Sequence, residues 1–414
     1  GLGIPAEPLF RSSYVSLSGN DSAGGDAKHP LLTVNKALEI GAEIINISAG
    51  TYEQQIDLSK SQNGIVQLNN YSATGNVIFT PANRMVATSE TLVDGYTKVY
   101  SVPCSIELNA NNIWLFQENV PDTRTVISNA ERLPQQRGLY YRCHDTNIEK
   151  CTSASLSDAL SEIENADSYK WYIDDGVLYF SRPNIVTPST PIRYSDGSLL
   201  FLNANRSHTI IANGITTRYM SFNIDNTTNS ELNDCKSTNV FGDGAFTYDN
   251  AIGAKLIRCE ASRCFFGTTG DGINAHGQTG GTNSSKKTTA MLIDCWVHDN
   301  NDDGFSDHEC CESVIDGGVF EYNGKAGITP SYGSHCICKN VVSRQNYNGF
   351  YVTGRVSESE GGAYTQLICF NCIAENNQRG SSNKAGYLTE SNNNRMILVN
   401  CKSIGNYIGY YCNS

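Results

Sequence analysis

Beyond Leu200 the chain repeats one pattern of polar and apolar positions. A polar residue precedes a small apolar one in NDCKS, IRCEA, IDCWV, DGGVF, KNVVS, FNCIA and VNCKS. The aligned small positions are Cys235, Cys259, Cys295, Gly318, Val341, Cys372 and Cys401, with separations of 24, 36, 23, 23, 31 and 29 residues. Five residues further on stands Cys264, Asn300, Asn323, Asn346, Asn377 or Asn406. A glycine and a large apolar residue follow, as in Gly272-Ile273, Gly304-Phe305, Gly327-Ile328, Gly349-Phe350, Gly386-Tyr387 and Gly409-Tyr410. A minimum spacing near 23 with variable excess predicts stacked β coils carrying loops, one strand spacing of about 4.8 Å apart. Asparagine recurring at one turn predicts an internal ladder of amides. No capping pattern follows the last copy, so truncation or a partner chain is expected at that end.

The upstream pattern differs. Tyr14–Asp21 reads as a strand and turn, Leu31–Ile40 has apolar residues at helical spacing, and Glu43–Tyr52 is a strand closed by Ala-Gly. Further short strands run to about Phe79. Between Met85 and Ser198 lie Trp114, Trp171, the helical patch Ser155–Ile163 and WYIDDGVLYF, a hairpin with an Asp-Gly turn. Three parts are expected: 1–84 with the first coils, a mostly β insertion over 85–198, and regular coils over 199–414. The combination YVSLSGND, TVNKAL and INISAGTY resembles the N-terminal cap and first coil of right-handed parallel β-helix proteins of the pectate-lyase-like superfamily. The resemblance implies an all-β, right-handed, single-stranded parallel β-helix whose open end is plugged by an amphipathic helix. An uncovered end would leave unpaired backbone and apolar core facing water.

Composition narrows the field. Only 17% of the 414 residues are charged, and mean hydropathy is −0.35. With 37 glycines, 22 tyrosines and 14 phenylalanines, the chain suits short strands and turns rather than disorder. A net charge of −12 without a basic stripe argues against nucleic acid. No apolar run approaches the ~20 residues of a membrane helix. Fifteen cysteines, an odd number without zinc-site spacing, read as buried thiols of a chain that folds in a reducing cytosol.

Stacking turns the repeat into columns. Before the repeated glycine lie Asp243, Asp271 and Asp303, then Ala326 and Asn348; four residues after it lie Tyr248, His276, His308, Ser331 and Thr353. Alternation places Asn274, His276, Ser306 and His308 outward, with Ile273 and Phe305 inward. Asp307 then points inward and needs a partner. Aspartates in register repel unless a cation, a proton or a base lies between them, which makes Asp243, Asp271 and Asp303 a candidate Ca²⁺ site; isolated Asp-Gly pairs are equally ordinary turn chemistry. The loops Gly277–Thr289 and Gly354–Thr365 are expected to wall a groove suited to a polysaccharide.

Two chemistries fit. In β-elimination on a uronic acid, His308 or His276 would be the base, Tyr332 or Tyr351 the acid, and Lys286, Lys287, Arg355 or Ca²⁺ the electrophile. In glycoside hydrolysis, Asp271 and Asp303 would flank the bond, supported by Asp243 or Asp307. The segment DGFSDHE also resembles the YGFDPHE-type motif of β-helix alginate epimerases and related lyases, matching at Gly304, Phe305, His308 and Glu309. Asp303 replaces its Tyr, Ser306 its catalytic Asp and Asp307 its Pro, so His308 is the best residue carried over. A third class is a glycan-binding tail spike or adhesin. A secreted enzyme would be a monomer and a tail spike a homotrimer, with extracellular or virion-tail location accordingly. Paired histidines favour lyase over hydrolase.

Overall fold

The computed structural model describes residues 11–80 and 208–413 apart from 241, 265–269, 278–286, 355–363, 378–384 and 391–393. Between 81 and 207 it describes 85–87, 90–103, 113–117, 149–166, 170–181, 192–196 and 201–203. Three long parallel sheets of eleven, ten and eight strands run through the chain. Each coil contributes one strand to each sheet, as Thr289–Ile293, Trp296–His298 and Phe305–His308 do, and pairs with the next coil in register. The chain is a parallel β-helix.

The repeat shows why the coil turns where it does. Asp234, Arg258, Asp294, Asn340, Asn371 and Asn400, just before the small core position, hold φ between 50° and 55°. Five residues later Asn239, Arg263, Asp299, Tyr322, Gln345 and Asn376 hold φ between 52° and 61°. Each left-handed residue costs roughly 1–2 kcal/mol when it carries a side chain. The asparagine column beside the second set offsets that cost. Asn300 Nδ2 donates to Asn323 Oδ1 at 2.9 Å, Asn323 Nδ2 to Asn346 Oδ1 at 3.1 Å, and Asn346 Nδ2 to Asn377 Oδ1 at 3.4 Å. The Cys264 and Asn323 backbone N–H groups donate to the same column. The repeated glycine belongs to this ladder, because a Cβ on Gly304 would stand 2.7 Å from Asn323 Nδ2.

Inside the coil Tyr52, Phe79, Phe201, Phe222 and Phe246 stack with centroids 4.8 to 5.5 Å apart. The small column expected from the sequence lines the same core: Cys235, Cys259, Cys295 and Cys372 are buried, and each of the thirteen described cysteines is a free thiol.

The expected helix over Leu31–Ile40 is shorter than its pattern, spanning Val34–Glu39 with Thr33 as N-cap. Leu31 bridges Val15 instead, while Val34, Ala37 and Leu38 join the core at the N-terminal end. The coil is interrupted after Thr80 and resumes at Leu202, which pairs with Ile56. Between them lie antiparallel pairs and the helix Leu156–Asn165. Trp171–Phe180 is the expected hairpin, turning at Asp175 and Gly176, both with positive φ. No helix among the described residues is long and apolar enough to cross a membrane.

Candidate functional site

The outer face of the eight-stranded sheet carries the residues singled out by the repeat. His276 pairs with His308 across Asp271–His276 and Phe305–His308, and their rings stack with centroids 5.1 Å apart and planes 13° apart. Flanking residues polarise the two imidazoles in opposite directions. Asp249 Oδ1 lies 3.5 Å from His276 Nδ1 and accepts the His276 backbone N–H at 2.6 Å, so hydrogen bonding to Asp249 holds the His276 imidazole above its usual range. His308 is pushed down to about 4 by burial and by the charge of His276. Both its nitrogens meet hydroxyls, Nε2 at 2.8 Å from Ser306 Oγ and Nδ1 at 2.7 Å from Ser331 Oγ. Of the two, His276 holds a proton more firmly and His308 is the readily neutral member.

One register expectation fails, with a local cause. Gly244 pairs with Asp271 and Phe246 with Ile273, so the coil carrying Asp243 is shifted by one residue. Asp249 therefore takes the place expected for Tyr248 in the histidine column. Tyr248 turns inward, fully buried, and its hydroxyl donates to Asp307. Asp307 is buried, as alternation predicts, and also accepts from Ser313 Oγ. Burial raises its carboxyl to about 6, with the two hydroxyls pulling the other way. That is the reverse of a solvent-facing catalytic carboxylate. The shift also removes Asp243 from the Asp column and leaves it exposed.

Asp271 and Asp303 remain in register, with Asp302 beside them; the three offer oxygens within 4.8 Å of one another and all are buried. The sequence pattern overlooked the group that makes this tolerable. Lys325 Nζ lies 2.9 Å from Asp303 Oδ2 and 3.2 Å from Asp302 Oδ2. Asp303 Oδ1 accepts from the Ala326 backbone N–H, and Asp271 accepts from Asp303 N–H and Asn274 Nδ2. Burial, then Asp303 and Asp302, raise the Asp271 carboxyl well above the usual carboxylate range. A Ca²⁺ ion needs six to eight oxygens free to ligate. Here an ammonium neutralises two carboxylates and backbone N–H groups occupy other oxygens, so the cluster as arranged does not fit Ca²⁺.

The other candidates separate. Tyr332 is 45% exposed with its ring 6.1 Å from His308, within reach of anything bound there. Tyr351 lies further along the same sheet; its hydroxyl donates to Glu390, and burial with that neighbour pushes it up to about 12. Asn274 is spent on Asp271. Lys287 pairs with Glu312, the first residue of the strand Glu312–Asp316 in the eleven-stranded sheet. Lys286, Arg355 and most of the two expected groove walls lie outside the described residues. Asp249 and Lys325 were missed as members of the site; Ser306 and Ser331 were placed in the outer columns, without the hydrogen bonds they make to His308. Only Asp249 had a legible signal, being one residue from the repeat's histidine position; Lys325 lies in a turn with no periodic mark.

No family model matches the chain, and no curated protein matches it in sequence. Solved structures do match in shape. A glycoside hydrolase aligns over 97% of this chain and 96% of its own at 9% identity, with a TM-score of 0.55. A complex of XylC with xylose aligns over 94% and 69% at 10% identity, TM-score 0.46. A rhamnogalacturonan lyase aligns over 96% and 87% at 12% identity, TM-score 0.43. The likeness to the first is one of fold, and it agrees with the parallel β-helix described above.

Proposed function

We propose that the protein acts on a polysaccharide, as a lyase that cleaves a uronic-acid-containing glycan by β-elimination on the outer face of the eight-stranded sheet. The observation that carries this reading is the stacked His276–His308 pair with opposite protonation preferences. Two titratable groups whose surroundings push them apart supply an acid–base assignment. Neutral His308 takes the proton at C5 of the uronate on its unprotonated nitrogen, whose serine hydroxyl turns aside as the sugar binds. The electron pair forms the C4–C5 double bond as the C4–O bond breaks, and the leaving oxygen takes a proton from Tyr332. The His276 imidazolium, steadied by Asp249, offsets the negative charge of the uronate carboxylate. No step requires a metal.

A second reading has one observation in its favour. Asp271, whose carboxyl is pushed up by burial beside Asp303, has the character of the acid in glycoside hydrolysis. The same burial, and the ion pairs of Asp303, make it the weaker choice.

One experiment separates the readings. Purified protein is incubated with polygalacturonate, alginate and xylan while absorbance at 235 nm and new reducing ends are both followed. Growth of both signals on a uronate polymer supports β-elimination. Reducing ends without absorbance would move the assignment to hydrolysis, and binding without either product would make this a glycan-binding protein.

A further inference from the structure

A second cluster lies on the ten-stranded sheet, apart from the histidine pair. Its centre is Trp296, 38% exposed at an outward position, where Val319 and Glu260 are its in-register neighbours. The indole ring is held on two sides. It stacks on His298 with centroids 3.9 Å apart and planes 23° apart, and its Nε1–H donates to Glu321 Oε1 at 2.9 Å. The supports are themselves fixed. His298 is buried between Asp299 Oδ2 at 2.7 Å and Glu260 Oε1 at 3.2 Å. Glu321, 3% exposed, accepts from Arg344 Nε at 2.8 Å, and Glu260 pairs with Lys236 at 2.8 Å. Lys236, Glu260 and Trp296 follow one another in one column; His298, Glu321 and Arg344 follow in the next. The strip spans four coil steps, about 19 Å at the strand spacing.

The indole is fixed by its stack on His298 and its bond to Glu321 while more than a third of it stays accessible, so it can meet a ligand without first being ordered. A sugar ring has complementary chemistry: one face of C–H groups to lie on an aromatic ring and a rim of hydroxyls for charged donors and acceptors. The cluster provides both, with the indole central, partly exposed Lys236 and Arg344 towards the two ends, and Glu260 between. Because its charges are paired, it offers hydrogen bonds without a strong net field.

We propose that Trp296, with Lys236, Glu260 and Arg344, forms an auxiliary binding strip for a glycan chain, separate from the face that carries His276 and His308. It rests on the proposed substrate class and not on any catalytic step. The strip holds a long polymer against the coil and does not touch the bond that is cut.

The test compares wild type, Trp296→Ala and Trp296→Phe with polygalacturonate, alginate and xylan, each as polymer and as trisaccharide. On a polymer that wild type binds, Trp296→Ala is expected to raise Kd about tenfold. It should lower kcat/KM on that polymer alike and leave kcat/KM on the trisaccharide unchanged. Trp296→Phe keeps a ring on His298 and is expected to retain most of the affinity, but the tryptophan emission change on binding, followed in proteins that also carry Trp114→Phe, should vanish, since Trp171 is fully buried. Unchanged polymer affinity in a folded Trp296→Ala protein would overturn the proposal. If Trp296→Ala fails to fold, loss of the emission change in Trp296→Phe supports the strip and its persistence refutes it. Binding that depends on Trp296 without cleavage by wild type would sink the lyase reading alone. Absence of wild-type binding to all three polymers would sink both.

Discussion

Two columns made by the same repeat behave in opposite ways. The asparagine column repeats one neutral side chain, and its amides bond from coil to coil between Asn300 and Asn377, with neutral backbone groups such as the Cys264 N–H and the Ser343 carbonyl completing the ends. The outer columns repeat ionisable side chains, and a carboxylate above a carboxylate, or an imidazolium above an imidazolium, is repulsive at strand spacing. Those columns persist only because each is broken by something different. Asp303 is paired with Lys325, while burial raises the carboxyl of Asp271; His276 has Asp249 while His308 stays neutral between two hydroxyls. A neutral ladder is scaffold. A column that needs asymmetric help is where chemistry can be placed.

The contrast can be tested from its largest consequence downward. His308→Ala should lower turnover of the uronate polymer about a thousandfold, with circular dichroism and melting temperature little changed; full activity in a folded variant would remove His308 from the site. Lys325→Met should destabilise the fold by about 3 kcal/mol in denaturant titration, since buried Asp303 is left without its cation. Adding Asp303→Asn should recover much of that loss, and no recovery would mean that the lysine acts through something other than the carboxylates. Asn323→Ala should cost about 2 kcal/mol, as its neighbours in the buried ladder lose a partner. Asn371, whose amide donates to Asn340 in a parallel but exposed ladder, should cost under about 0.5 kcal/mol on the same change, because water replaces the bond.

The protonation asymmetry predicts a pH profile. His308 must be neutral, so activity should fall as pH drops through about 4. His276 must be protonated, so activity should also fall as pH rises through its elevated value, above 6.5. Asp249→Asn removes the group that raises it and should move the alkaline limb to lower pH, with a smaller downward move of the acid limb, since Asp249 is a minor influence on His308. For stability the sign is the same: a raised His276 contributes fully below the unfolded value near 6.5, and that contribution disappears as pH rises through the folded value. An alkaline limb that stays put in Asp249→Asn would separate His276 from the reaction.

Periodicity alone determined the parallel coils, the position of the asparagine ladder, the buried cysteines and the stacking of His276 on His308. Each follows from a spacing of about 23 residues and from alternation along a strand, both written in the chain itself. The same alternation put Asp307 inside. What the tertiary structure decided is the company those residues keep. A one-residue shift at Gly244 exchanged Tyr248 for Asp249 in the histidine column, and it gave Asp307 its hydroxyl partner. A turn lysine outside the repeat, Lys325, supplied the cation that the aspartates required. Register shifts and turn side chains carry no period, so their effect exists only once neighbouring coils are laid one on another. For that reason the sequence located the His276–His308 face, while the fold decided which of its groups holds a proton more firmly.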